Sequence, residues 1–216
     1  MSAVETIGRL GVVPVVVVDE PGTAVGLGDA LLRAGLPCAE VAFRTDAAAD
    51  AIELLATERD LLVGAGTILE PAQVDQAVAA GAQFIVAPGF DSAVVCHCRE
   101  LGVPVIPGVA TATEISAAVR HGLDTVKLFP AQALGGLQLL TALAAPFPSL
   151  RFVPTGGIGP TDLPAYARHP SVLAVAGSWI APRELLRERR FAEITHRAAE
   201  AANIVADIRG VRPAGA

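Results

Sequence analysis

Eight short runs of β-branched or other apolar residues begin near Val12, Cys38, Leu61, Phe84, Val103, Thr125, Phe152 and Val172, at intervals of 26, 23, 23, 19, 22, 27 and 20 residues. Between them lie Ala- and Leu-rich segments with helical spacing, among them Thr23 to Ala34, Ala47 to Ala56, Pro71 to Ala80 and Thr111 to His121. Runs such as VVPVVVV are apolar on both faces, which suits parallel strands covered by helices, and parallel neighbours need a crossover of that length. Helix starts are marked by Asp46, by Glu70 before Pro71, by Thr111 with Glu114 three residues on, and by Pro160 with Thr161. Helix ends are marked by Gly35, Gly81, Gly102 and Gly122, each placed for a left-handed cap before the next strand. Eight such units in 216 residues predict an α/β protein, a small single-domain (β/α)8 TIM barrel with an N-terminal helix. A doubly wound open sheet is the alternative. No linker divides residues 1–216, and 210–216 is expected to be a loose tail.

With 52% hydrophobic and 18% charged residues and a mean hydropathy of +0.52, the chain is built to bury a core rather than to stay disordered. Sixteen basic against 22 acidic residues give a net charge of −6, which gives a nucleic-acid surface little electrostatic support; a phosphate-bearing partner should be small. The early apolar stretch from Gly11 to Val18 contains Pro14 and stops at Asp19, too short to span a membrane, and the first residues lack the basic start of a secretory signal. Three unevenly spaced cysteines, Cys38, Cys96 and Cys98, do not make a disulfide framework. A cytoplasmic protein is expected.

Fifteen of the sixteen basic residues are Arg, and the single Lys is Lys127, inside the apolar run TVKLFP. Desolvation there disfavours an ammonium ion, and an unprotonated amine attacks carbonyls to form a Schiff base, which a guanidinium cannot do. A strand-end lysine reaching out to solvent is the other reading. In CAEVAFRT the side chains of Cys38, Glu40, Ala42 and Arg44 share one strand face. Glu40 then enters the barrel as the natural partner of Lys127 and a proton relay, while Arg44 stands at the mouth to clamp an anionic group. A purely structural ion pair is the alternative.

GAGT, APG and PG follow apolar runs at Gly64, Ala87 and Pro107, where strands of a barrel present their C-terminal ends; each alone is ordinary turn chemistry. PTGG at Pro154 to Gly157 and AGSW at Ala176 to Trp179 follow the seventh and eighth runs, where barrels bind phosphate on backbone N–H groups, with Ser178 adding a hydroxyl. Cys96, His97 and Cys98 do not form a metal site, because i and i+2 on a helix diverge. His121 and His169 read as helix-end residues, and RELLRERR from Arg183 to Arg190 as a solvated helical face.

Taken in order, PVVVV, EVAFRT, GAGT, APG, PGVATATE, KLFPA, PTGGI and GSW give nearly the whole chain a shared pattern. By these motifs it resembles the 2-keto-3-deoxy-6-phosphogluconate (KDPG) aldolases, also called 4-hydroxy-2-oxoglutarate (KHG) aldolases. The resemblance implies a cofactor-free, metal-independent lyase that cleaves a phosphorylated 2-keto sugar acid to pyruvate and glyceraldehyde 3-phosphate. It also implies that Lys127 is the Schiff-base lysine and Glu40 the general acid/base. By the same likeness Arg44 and Thr67 hold the pyruvyl carboxylate, and Phe129 lies beside the lysine. Thr155 contacts substrate hydroxyls, Gly156, Gly157 and Ser178 bind phosphate, and the chain is a homotrimer. Gln132 stands where the family often has Glu, and Ala176 where Gly is frequent. ATATE at Ala110 to Glu114 is shared with the phosphogalactonate branch, whereas Arg44 with Thr45, PTGG and GSW match the gluconate branch. A non-catalytic barrel that binds phosphometabolites is the alternative from another class.

Overall fold

The structure, a computed structural model, describes residues 1–210. Its first helix, α1 (Ala3–Leu10), opens on a reciprocal capping box between Ser2 and Glu5 and stops at Gly11, whose φ of 67° requires glycine's freedom. Five βα units follow: β1 (Val12–Val16) with α2 (Thr23–Arg33), β2 (Cys38–Ala42) with α3 (Ala48–Ala56), β3 (Leu62–Gly66) with α4 (Pro71–Ala79), β4 (Phe84–Val86) with α5 (Ser92–Glu100), and a fifth strand in two pieces with α6 (Ala112–Arg120). The two pieces are β5 (Val105–Ile106) and β6 (Gly108–Val109), separated by Pro107, which lacks an N–H for the ladder. Next come β7 (Thr125–Leu128), a 3-10 turn at Gln132–Leu134 and α7 (Gly136–Ala144). β8 (Arg151–Pro154), α8 (Leu163–Ala167), β9 (Val175–Gly177), α9 (Arg183–Arg187) and α10 (Phe191–Arg209) complete the order.

All the paired strands are parallel. Six form one arc in the order β5-β4-β3-β2-β1-β9, and three form a second arc, β6-β7-β8. The arcs meet through the continuous chain at Pro107 and through single bridges, Phe152 with Val172 and Thr155 with Ala176. The first strand therefore neighbours both the second and the last, which makes a closed barrel rather than the alternative open sheet. Two cores result. Val16, Val41, Val63, Ile85, Val126 and Phe152 face the helices, while Val13, Cys38, Phe84, Ile106, Val153 and Ala176 point inward. Ile7 of α1 joins the inward group, so the N-terminal helix plugs the lower end of the barrel.

Local signals met mixed outcomes. Gly35, Gly81, Gly102 and Gly122 all have positive φ, and Thr111 with Glu114 forms the expected capping box. Asp46 is not a cap: α3 is preceded by Ala47 in helical conformation with no side-chain cap. Pro160 and Thr161 lie before the helix start as well, since α8 begins after Asp162, whose carboxylate accepts from the Gly159 N–H instead. The eighth strand starts at Val175, three residues beyond the expected Val172, which makes only a single bridge. RELLRERR is not a simple solvated face: Leu185 and Leu186 are buried, α9 stops at Arg187, and Arg189 takes a φ of 54° before α10 begins. Among the described residues no helix is long and apolar enough to cross a membrane. Of the expected tail, Gly210 caps α10 in the left-handed region, and 211–216 lie outside the described residues.

Candidate active site

Strand alternation on β2 works as the sequence predicts: Ala39 and Val41 pack under the helices, and Cys38 and Glu40 point inward. Lys127 reaches the same place from β7, whose Val126 and Leu128 face outward. Its Nζ donates to Glu40 Oε1 at 3.2 Å, and only 5% of Lys127 and 2% of Glu40 is exposed. Holding two opposite charges or their neutral equivalents in so dry a place costs desolvation that a hydrophobic pair would not, the usual mark of chemistry rather than stability. The Phe129 ring centroid lies 5.4 Å from Nζ.

Room for the carboxylate comes from Gly66. A Cβ there would lie 2.8 Å from Glu40 Cδ and closer still to Oε1, so any larger residue would displace the acid. At the next position Thr67 takes a φ of 60°, a costly conformation for a β-branched residue. Phe43 N–H donates to the Gly66 carbonyl, which carries the β2–β3 pairing one residue past the strands and brings Phe43 opposite Thr67, while Arg44 turns back with its N–H on the Ala42 carbonyl. Arg44 is exposed there and lines a hollow of about 390 Å³ with Asp46, Gln73 and Gln76; among the described residues it is not hydrogen-bonded or ion-paired to Glu40, whose partner is Lys127.

The remaining expected residues gather across the barrel. Thr155 is buried and its hydroxyl donates to the Val153 carbonyl; Gly156 and Gly157 follow with φ of 100° and 76°. A Cβ at Gly156 would press on the Phe129 ring at 3.3 Å, so the lysine's aromatic neighbour also packs on the glycine turn. The bridge from Thr155 to Ala176 places this turn beside Gly177 and Ser178. Among the described residues the backbone N–H groups of Gly157 and Ser178 have no acceptor in the protein, and both residues are exposed. Paired free N–H groups at two strand ends are suited to an oxyanion.

Sequence reasoning leaves out what lies behind these groups. Gln132 donates its N–H to the Gly156 carbonyl, and its side chain fills the space a Cβ on Gly157 would need. Gly177 yields its space to the Trp179 ring. Arg183 forms a two-pronged ion pair with Asp19, tying the start of α9 to the loop after β1. A glycine inside a strand pattern signals such close approaches, but not to which partner. Cys38, fully buried on the Glu40 face, has its thiol pushed far up by burial and by the Glu40 charge, so it stays a thiol and does not compete with the amine. Of the CHC triplet, Cys98 is buried, Cys96 exposed, and His97 turns to Asp75 of α4 at 2.7 Å.

Comparison with known proteins agrees with this geometry. Residues 4–197 match the family model described as KDPG and KHG aldolase. The 2-dehydro-3-deoxy-phosphogluconate aldolase of Treponema pallidum is 48% identical over 192 residues, 88% of this chain and 91% of that one. The crystal structure of the Zymomonas mobilis ZM4 2-keto-3-deoxy-6-phosphogluconate aldolase with 3-phosphoglycerate is 38% identical, with a TM-score of 0.87, covering 93% of this chain and 95% of that one. The Legionella pneumophila KDPG aldolase, with pyruvate captured as a covalent carbinolamine, is 36% identical with a TM-score of 0.89, covering 93% and 98%. A barrel with an amine and a carboxylate buried together at its centre, matched at this level along nearly its whole length, belongs to the KDPG and KHG aldolase family.

Proposed function

We propose that this chain is a Schiff-base aldolase that cleaves 2-dehydro-3-deoxy-6-phosphogluconate to pyruvate and glyceraldehyde 3-phosphate. The observation that carries the assignment is the Lys127 to Glu40 contact of 3.2 Å inside the barrel. The Lys127 amine attacks the C2 carbonyl, and Glu40 carries a proton to the carbinolamine oxygen so that water leaves and a protonated imine forms. Glu40, now a carboxylate, takes the proton of the C4 hydroxyl. The C3–C4 electron pair flows into the imine, the C4 aldehyde departs, and the enamine is reprotonated at C3. Hydrolysis of the imine releases pyruvate and the free lysine. The imine is the electron sink, so the chemistry needs no metal or cofactor.

In this reading Arg44 and Thr67 hold the substrate carboxylate, Phe129 shields the imine, and Thr155 contacts the hydroxyls. Gly156, Gly157 and Ser178 receive the phosphate; the free N–H groups of Gly157 and Ser178 support that role. The bond broken needs only the pyruvyl half, so 4-hydroxy-2-oxoglutarate, which yields pyruvate and glyoxylate, is a second substrate. The gluconate epimer is preferred over the galactonate one, in keeping with the named relatives. Assembly as a homotrimer is supported by the family resemblance, and a cytoplasmic setting by three unpaired cysteines.

The test is mass spectrometry after incubation with pyruvate and borohydride. A single reduced adduct, mapped to Lys127, is expected; a folded protein that takes up no pyruvate would return the barrel to a non-catalytic binding role. Relative kcat/KM on the two phosphorylated epimers and on 4-hydroxy-2-oxoglutarate then ranks the substrates, and equal rates with and without phosphate would remove the phosphate site.

A further inference from the structure

At the N-terminal end of the barrel, opposite the imine site, a second concentration of charge has no part in the chemistry above. A hollow of about 300 Å³ opens between the ends of α1, α8 and α10 and the start of β8, lined by Gly8, Arg151, Arg168, His169, Leu173 and Arg209 among others. Three guanidinium groups face it, and among the described residues no aspartate or glutamate lines it. Among the described residues their hydrogen bonds go to backbone carbonyls. Arg209 donates to the carbonyls of Gly8 at 2.8 Å, Leu173 at 2.9 Å and Val172 at 3.3 Å. Arg151 donates to that of Pro170, and Arg168 to that of Pro164 at 3.3 Å.

These carbonyls do not balance the charge. The five acceptors are neutral carbonyls, so among the described residues no carboxylate offsets any of the three positive charges. Arg209 is half-buried, with the Arg151 guanidinium near enough to oppose its charge, and both effects hold it below the ordinary arginine range. His169 adds no acidic partner: its Nδ1 accepts from the Ser171 N–H and burial favours its neutral form. Arg151 and Arg168, both exposed, keep N–H groups that no described residue accepts from, and guanidinium forks match oxyanions two bonds at a time.

We propose that this hollow binds a dianionic oxyanion, the phosphate group of a small metabolite, on Arg151, Arg168 and Arg209. The site is separate from the substrate's phosphate position at the other end of the barrel. It joins β8, α8, α1 and α10, so occupancy ties the N-terminal plug and the last helix to the barrel floor.

Thermal unfolding of the whole protein with inorganic phosphate, at ionic strength held constant with chloride, tests this. The wild type should show a saturable rise in Tm. The Arg151→Gln/Arg168→Gln double variant, altered at exposed positions, should lose at least half of that rise while its aldolase kcat/KM stays within twofold. An equal rise in both proteins, or an equal rise with chloride alone, would overturn the proposal without touching the aldolase assignment. Should the double variant fail to fold, Arg168→Gln alone serves, with the same two outcomes at smaller amplitude.

Discussion

Glu40 is held to Lys127 by one hydrogen bond and owes its position to the absence of a side chain at Gly66. Glu40→Gln should therefore still trap pyruvate on Lys127 but turn over about 10²- to 10⁴-fold more slowly, the range for losing a positioned acid/base; trapping and steady-state kcat on one preparation check both halves. Unchanged turnover would reduce Glu40 to a structural partner. Gly66→Ala should lower kcat at least about tenfold by pushing the carboxylate off the amine. It should also lower stability, and less so in a Glu40→Ala background, where the clash partner is gone; a double-mutant cycle in denaturant reads this coupling. Lys127 was legible because the chain spends its only lysine in an apolar strand, and Glu40 because strand alternation puts it on the inner face. Gly66 was not, since its task depends on how β2 and β3 align, Glu40 opposite Gly64 and Ala42 opposite Gly66, and no local pattern states that register.

Caps govern the helices unevenly. α6 begins with the full box at Thr111, where Glu114 Oε2 accepts from the N–H groups of Ala110 and Thr111 at 2.8 Å and from the Thr111 hydroxyl at the same distance. Burial opposes the Glu114 charge, but these donors outweigh it and hold the carboxyl below its usual range. The sign follows: a depressed acid contributes stability above its unfolded value, about pH 4.3, and loses it as pH falls through the lower folded value. The stability gap between wild type and Glu114→Gln should shrink as pH drops below about 4, seen in urea unfolding across pH. Thr111→Ala should cost about 1 kcal/mol near neutrality. This box could be read from four letters because all its partners lie within one turn. The start of α8 could not, because the Asp162 carboxylate satisfies the loop N–H of Gly159, and the eighth strand begins later than its apolar run because Val172 resembles a strand residue but makes only a bridge.

The last helix completes the molecule by packing against α2: Ile194, Ala198, Ala201 and Val205 of α10 are buried, and the Phe191 ring occupies the space beside Gly26 of α2. Ile194→Ala should cost about 2–4 kcal/mol through the cavity it leaves, measured as a fall in the denaturation midpoint with unchanged slope. The eightfold repeat announced the barrel as a whole, yet it gave no hint that the ring is two arcs. Glu40 belongs to the six-strand arc and Lys127 to the three-strand arc, and they face each other across the barrel interior. The separation of acid and amine is thus a measure of how the two arcs sit, not of either strand alone. Amides beside Pro107 and along the β8 to β9 bridges should exchange with deuterium sooner than those of β2, β3 and β7, because few ladder bonds cross there. The breathing of those two seams is the slow motion that this pair of residues would feel first.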